Sequence, residues 1–247
     1  MTPFKALTVS LVRNNLRDPA TMLVSYVFPP TLLVVLALTM GDMPGGDGRD
    51  IVDFISTNVM GFGIAFVSMF AGAATIVEWR EKGGGRILRG APMSVSSILA
   101  SALTVAIVSA LVQAVLIVFA GYVAAAGVTL SPRVLLTIAP VLSGTLVFHS
   151  LGTLFGLVLP TITAVSLVVI AVIMSMGFAS GAVMPLDVLP SWMQTLSEFM
   201  PLTYLLNALR WPLTGVAEPG DALIGLGVTS VLGAALFLAS TKLMRWT

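Results

Sequence analysis

The sequence has no cysteine, a single histidine, and charge on only 9% of its 247 residues. Without thiols it has no disulfides, no thiol nucleophile and no thiolate metal site. The lone imidazole, His149, has no second histidine to join it, and the long apolar runs contain no carboxylate, so no metal site is expected. A phosphate loop is also missing. Residues 83–89 are rich in glycine but lack the Gly-Lys-Ser/Thr that cradles nucleotide phosphates, so ATP chemistry has to come from another chain. A membrane-embedded hydrolase would need paired carboxylates or a Ser–His couple. Ser143 and His149 are six residues apart and fall on different helix faces. With no catalytic residues in view, the chain is expected not to be an enzyme.

The scarcity of charge also excludes a water-soluble core, since soluble domains carry roughly 25% charged residues. Mean hydropathy is +1.03, and the charges are clustered. No Asp, Glu, Lys or Arg occurs in 19–41, 54–77, 90–132, 134–186 or 222–241. A helix crosses a bilayer core with about 20 apolar residues, all its backbone polar groups paired internally. The third run opens on polar Ser94, Ser96 and Ser97 and so holds one span, near 98–126. The fourth is broken at Leu159-Pro160-Thr161, where proline removes a donor and disfavours helix in the residue before it. The fold class expected is therefore all-α, one polytopic transmembrane domain over 1–247 with six spans near 20–40, 54–77, 98–126, 134–158, 162–184 and 222–241. No cleaved signal peptide is expected, because Arg13, Arg17 and Asp18 precede the first span and no small-residue cleavage pattern ends it.

Six spans put both termini on one side. That side holds nine of the 12 basic residues and three of the 11 acidic ones, and the other side holds three and eight. By the positive-inside rule both termini are expected in the cytoplasm, in a bacterial inner membrane. The remaining charges lie in elements outside the spans. Residues 2–17 set Phe4, Leu7 and Leu11 against Lys5, Arg13 and Arg17, a pattern for an interfacial elbow helix that Asp18-Pro19 ends. The loop 78–92 carries Glu78, Arg80, Glu81, Lys82, Arg86 and Arg89 around three glycines. It reads as a positive-inside loop or as a patch for anionic lipid. Between the fifth and sixth spans, Trp192, Leu196 and Phe199 recur at helical spacing, and after Pro201 so do Leu202, Leu205, Leu206 and Leu209. Each unit of about ten residues reaches about 15 Å, half of a bilayer core. The expectation is a short helical pair at the outer interface, flat or re-entrant, with Trp192 and Tyr204 as anchors.

Three stretches together resemble the membrane subunits of ABC-2 type transporters. Leu16-Arg17-Asp18-Pro19 is similar to that family's entry into the first span. Glu78-Trp79-Arg80-Glu81-Lys82-Gly83 through Ala91-Pro92-Met93-Ser94 resembles its cytoplasmic segment. Ser180-Gly181-Ala182-Val183-Met184-Pro185 through Leu189-Pro190-Ser191-Trp192 to Pro201-Leu202-Thr203-Tyr204 and Arg210 resembles its most diagnostic block. One departure is Gly83-Gly84-Gly85-Arg86, where the family has Gly-Thr-Leu-Glu. The resemblance implies a permease dimer of identical or paralogous chains, with ATP and Mg held by separate cytoplasmic ATPase subunits. Docking would fall to Glu78, Arg80, Glu81, Lys82, Arg86 and Arg89, with the elbow residues Arg13, Arg17 and Asp18 beside them. An outer gate would involve Trp192, Glu198, Pro201, Tyr204 and Arg210.

Inside the spans, His149 and Gln113 read either as interhelical hydrogen-bonding groups or as part of a substrate path. Gly144, Gly152 and Gly156, spaced in fours or eights, suit close helix packing. The function expected is outward movement of an amphiphile, a drug, antibiotic or lipid. Polysaccharide or glycolipid export is the alternative, and a passive channel or assembly factor a further one. Membrane lipids are expected partners, nucleic acid is not, and the chain itself is expected to bind no cofactor.

Overall fold

The computed structural model describes residues 3–41, 51–81, 94–123, 130–183, 186 and 189–244, which form helices and turns with no strand among them. Helix α1 (Pro3–Arg17) is followed by one turn at Pro19–Met22 and then by α2 (Leu23–Met40). After these come α3 (Ile51–Glu81), α4 (Val95–Val123), α5 (Val134–Val158), α6 (Ile162–Ala179), α7 (Ser191–Ser197), α8 (Pro201–Thr214) and α9 (Pro219–Leu243). Six of these, α2 to α6 and α9, are long and apolar enough to cross a membrane.

Local chemistry accounts for the breaks. Pro29 and Pro30 in α2 have no N–H to offer the carbonyls of Ser25 and Tyr26, and the backbone widens there into a π turn over Leu23–Val27. Thr161 caps α6, its hydroxyl accepting from the Ala164 N–H at 3.2 Å. The fifth span stops at Ala179, short of the expected 184, because Gly181 turns to a φ of 75° and ends the helix. The second starts three residues before the expected 54 and runs on to Glu81.

Helix α3 is the centre of the bundle, packed on α2, α4, α5, α6 and α8. Its seam with α5 is the closest among the described helices. A Cβ at Gly152 would lie 1.9 Å from the Met69 carbonyl oxygen, one at Gly72 2.2 Å from that of His149, and one at Gly156 2.6 Å from that of Ala73. Backbone meets backbone there, as suits helices in lipid, where association comes from close packing rather than from expelling water. Gly144 instead makes room for the side chain of Leu205 on α8.

Large apolar side chains elsewhere face outward, among them Leu38 on α2, Val115 and Phe119 on α4, Leu167 on α6 and Val231 on α9. In water such a surface would aggregate, whereas in a bilayer it is the lipid face. The chain is a multi-pass membrane protein. Met244, just past α9, packs with Ile76 near the end of α3 and Leu99 at the start of α4. The elbow, the exit from α3, the entry to α4 and the end of α9 thus share one end of the bundle. The opposite end holds the first turn of α3, the end of α8 and the turn at Gly181.

Candidate functional site

At the terminal end, α1 lies on α4, and the Asn15 Nδ2 donates to Ser109 Oγ at 3.2 Å. Asp18 follows in the bend where Pro19 begins a new helical turn, and Arg13 and Arg17 are exposed on the outer side of the elbow. Glu78 occupies the last turn of α3. These two carboxylates, expected in separate elements, line one cavity of about 390 Å³ between α1, α2, α3, α4 and α6. Of the other expected docking residues, Glu81 ends α3 in an exposed position, while Lys82, Arg86 and Arg89 lie outside the described residues.

Arg80 makes contacts within the bundle. Its guanidinium donates to the carbonyl oxygen of Gly156 at 3.3 Å and to that of Leu159. A cation there satisfies carbonyls that the last turn of α5 leaves open and complements the negative end of its dipole. It ties α3 to the break before α6 rather than reaching away from the bundle.

The outer pair divides. Helix α7 and the turn after it leave their apolar side chains open, with Trp192 64% and Phe199 74% exposed. Gln194 Nε2 holds it down by donating to the carbonyls of Leu186 and Leu189 at 3.1 and 2.9 Å. Helix α8 does not lie flat at a surface. Leu202, Leu205, Leu206 and Leu209 are fully buried against α3, α5 and α9. The helix also runs to Thr214, past an internal Pro212, and ends at Gly215 with a φ of 78°. Pro201 is its first residue, where a missing N–H costs nothing. Tyr204 donates from its hydroxyl to the Glu198 carbonyl at 2.7 Å, joining the two helices.

Glu198 and Arg210 are not brought together. Glu198 is exposed before α8, whereas Arg210 near its end donates to Asn207 Oδ1 at 3.0 Å and shares a small cleft with Asp53. Asp53 sits in the first turn of α3, only 5% exposed, and was counted as a loop charge from sequence. Its nearness to the start of a span was the only available signal. Arg133 stacks 5.1 Å above the Trp211 ring, and Ser131 N–H donates to the Leu213 carbonyl at 2.9 Å, fixing the same end.

In the bundle interior His149 is 2% and Gln113 0% exposed. The Gln113 amide lies against Gly63, where a Cβ would meet Nε2 at 2.7 Å, and neither of its polar atoms has a hydrogen-bond partner. His149 Nδ1, Ser68 Oγ and Ser150 Oγ are likewise unpartnered. No group of three His, Cys, Asp or Glu among the described residues is placed to hold a metal.

This arrangement of six spans, a packed elbow and a short buried helix before the last span coincides with a match to the profile described as ABC-2 type transporter, over residues 2–213. The chain belongs to the ABC-2 type transporter family. A curated relative, nodulation protein J of Rhizobium leguminosarum bv. viciae, is 34% identical over 113 residues, which is 45% of this chain and 43% of the relative. The match therefore spans less than half the length of either. Chains of the ABC-2 family are permease domains without ATPase motifs that typically pair with an ATP-binding cassette ATPase subunit. The absence of a phosphate loop from this sequence accords with that division of labour.

Proposed function

We propose that this chain is the membrane-spanning subunit of an exporter that moves an amphiphile outward across a bacterial inner membrane, driven by ATP hydrolysed on a separate cytoplasmic subunit. The observation that carries the reading is the gathering of the elbow, the exit from α3, the entry to α4 and the end of α9 at the end of the bundle richest in basic residues. A soluble ATPase docking there touches four elements at once and can bias them together. In the sequence Lys82, Arg86 and Arg89 belong to the segment that joins α3 to α4, and two permease chains complete the path.

Three features support an amphiphilic cargo over a polysaccharide: apolar spans, few buried charges, and an aromatic-lined cavity opening among the helices. In the cycle proposed, closure of the ATPase pair displaces the elbow and the α3–α4 connection, and the spans tilt to release cargo on the far side.

The test is co-expression with an ATPase subunit encoded beside it. Co-purification, followed by ATP-dependent accumulation of a fluorescent amphiphile in inside-out vesicles, is the expected outcome. The chain purified alone should hydrolyse no ATP. Accumulation that persists after ATP depletion would turn the reading into a passive channel.

A further inference from the structure

The cavity between α1, α2, α3, α4 and α6 has the dimensions of one lipid chain. From Glu78 and Trp79 at its mouth to Phe66 at its depth is twelve residues of α3, a rise of about 18 Å. One leaflet is half of a bilayer core, about 15 Å. The volume agrees. A dry apolar cavity of about 150 Å³ holds benzene, with its six carbons, so about 390 Å³ holds about fifteen by proportion.

The lining changes with depth. Phe66 and Phe70 of α3, stacked at 6.4 Å and 12°, stand with Ile170 of α6 in the inner part. The polar groups gather at the mouth and are already engaged. Asp18 and Glu78 each interact within the chain, and Asn15 gives its Nδ2 to Ser109 Oγ. What is left for a ligand is the apolar slot. Val24 of α2 and Ile170 of α6 line it and are 40% and 45% exposed, so it opens on the lipid face of the bundle.

We propose that this cavity binds the hydrocarbon chain of a single-chain lipid, drawn from the leaflet on the elbow side. The chain lies along α3 over Phe66 and Phe70, and its head stays outside the mouth beside the elbow. Chain number is the selective element. With room for about fifteen carbons, the slot takes one chain and leaves the second chain of an ordinary phospholipid outside. The inference deepens the transport reading by naming its substrate class, and relies on that reading only for what happens to the lipid after it binds.

The experiment uses the purified full chain in phosphatidylcholine nanodiscs, with no ATPase subunit and no nucleotide. Its probes are lysophosphatidylcholine and phosphatidylcholine, each carrying the same diazirine-bearing palmitoyl chain, so that they share a head and differ in chain number. After illumination, cleavage at Arg49 and Arg80 frees residues 50–80, which hold the central helix α3, for mapping of adducts by mass spectrometry. The lysolipid should label Phe66 and Phe70 saturably, and unlabelled lysophosphatidylcholine should compete. Val231, 72% exposed on α9, should take both probes without saturation. Ala71→Phe from α3 and Ser166→Phe from α6, both at half-buried lining positions, should each cut the saturable labelling about tenfold, with Val231 labelling unchanged.

Lysolipid labelling of Phe66 and Phe70 that does not saturate overturns the proposal, as does equal labelling there by the two-chain probe. Saturable labelling that survives in both folded variants also overturns it. If a variant fails to fold, the comparison of the two probes on the unmodified chain still decides. Failure here leaves an ATP-driven exporter of another cargo standing, and failure to pair with an ATPase leaves the site standing.

Discussion

At the scale of single residues, the molecule separates two kinds of small or polar position that sequence alone runs together. Gly152 and Gly227 are both helical glycines, yet a Cβ at Gly152 would lie 1.9 Å from the Met69 carbonyl oxygen, while one at Gly227 meets nothing within 4 Å. Gly152→Ala should lower stability by about 1–3 kcal/mol through forced separation of α3 and α5. Gly227→Ala should leave it unchanged or raise it by up to about 1 kcal/mol. Thermal unfolding in detergent, followed by fluorescence of the four tryptophans, compares the two. Gln113 gives a second contrast. Its amide is buried without a partner, so Gln113→Leu should leave stability unchanged or raise it by about 1 kcal/mol. A stable Gln113→Leu protein with impaired transport would put the amide in the substrate path.

At the scale of elements, charge-free runs and prolines made most helices legible. The elbow was expected to end at Asp18-Pro19, and α1 ends at Arg17. The break at Pro160 separates α5 from α6. Less legible was how elements at the ends are held. Asp53 looked like a loop charge because apolar-run counting stops at any carboxylate, whatever the burial of the helix turn that holds it. The leucine face of α8 reads from sequence as part of an outer pair, flat or re-entrant, because ten residues are too short to span. Length does not say whether a short helix lies on a bundle or inside it, and four fully buried leucines put it inside. Arg80 was grouped with the docking charges, yet its donors close the end of α5. Arg80→Ala should therefore cost about 1 kcal/mol. It should also speed hydrogen exchange in the last turn of α5 and leave capture of the ATPase subunit intact. Arg80→Lys should restore part of the protection.

At the scale of the whole molecule, the count of six spans and the contacts of the bundle both put α1 and the end of α9 at one end. A chain without cysteine is a ready background for mapping that end against the bilayer. In right-side-out membranes an impermeant maleimide should label Gly220→Cys, at the start of α9, where nothing stands within 4 Å of a Cβ. Lys5→Cys and Lys242→Cys should react only after the membrane is opened. Labelling of Lys5→Cys and Gly220→Cys from the same face would sink the six-pass topology. The cavity could not be read from the sequence, because it joins residues of five helices whose rotation about their axes only packing decides.

The glycine seam between α3 and α5 also limits how such a machine can work. Two helices whose backbones touch over several turns cannot slide or rotate against each other without losing most of their contact, so they should travel as one rigid stator. Helix α6 touches α5 only sparsely, and α2 has a π turn and two prolines where it meets the elbow. Any rocking stroke would then be taken up by these outer helices turning about a fixed axle.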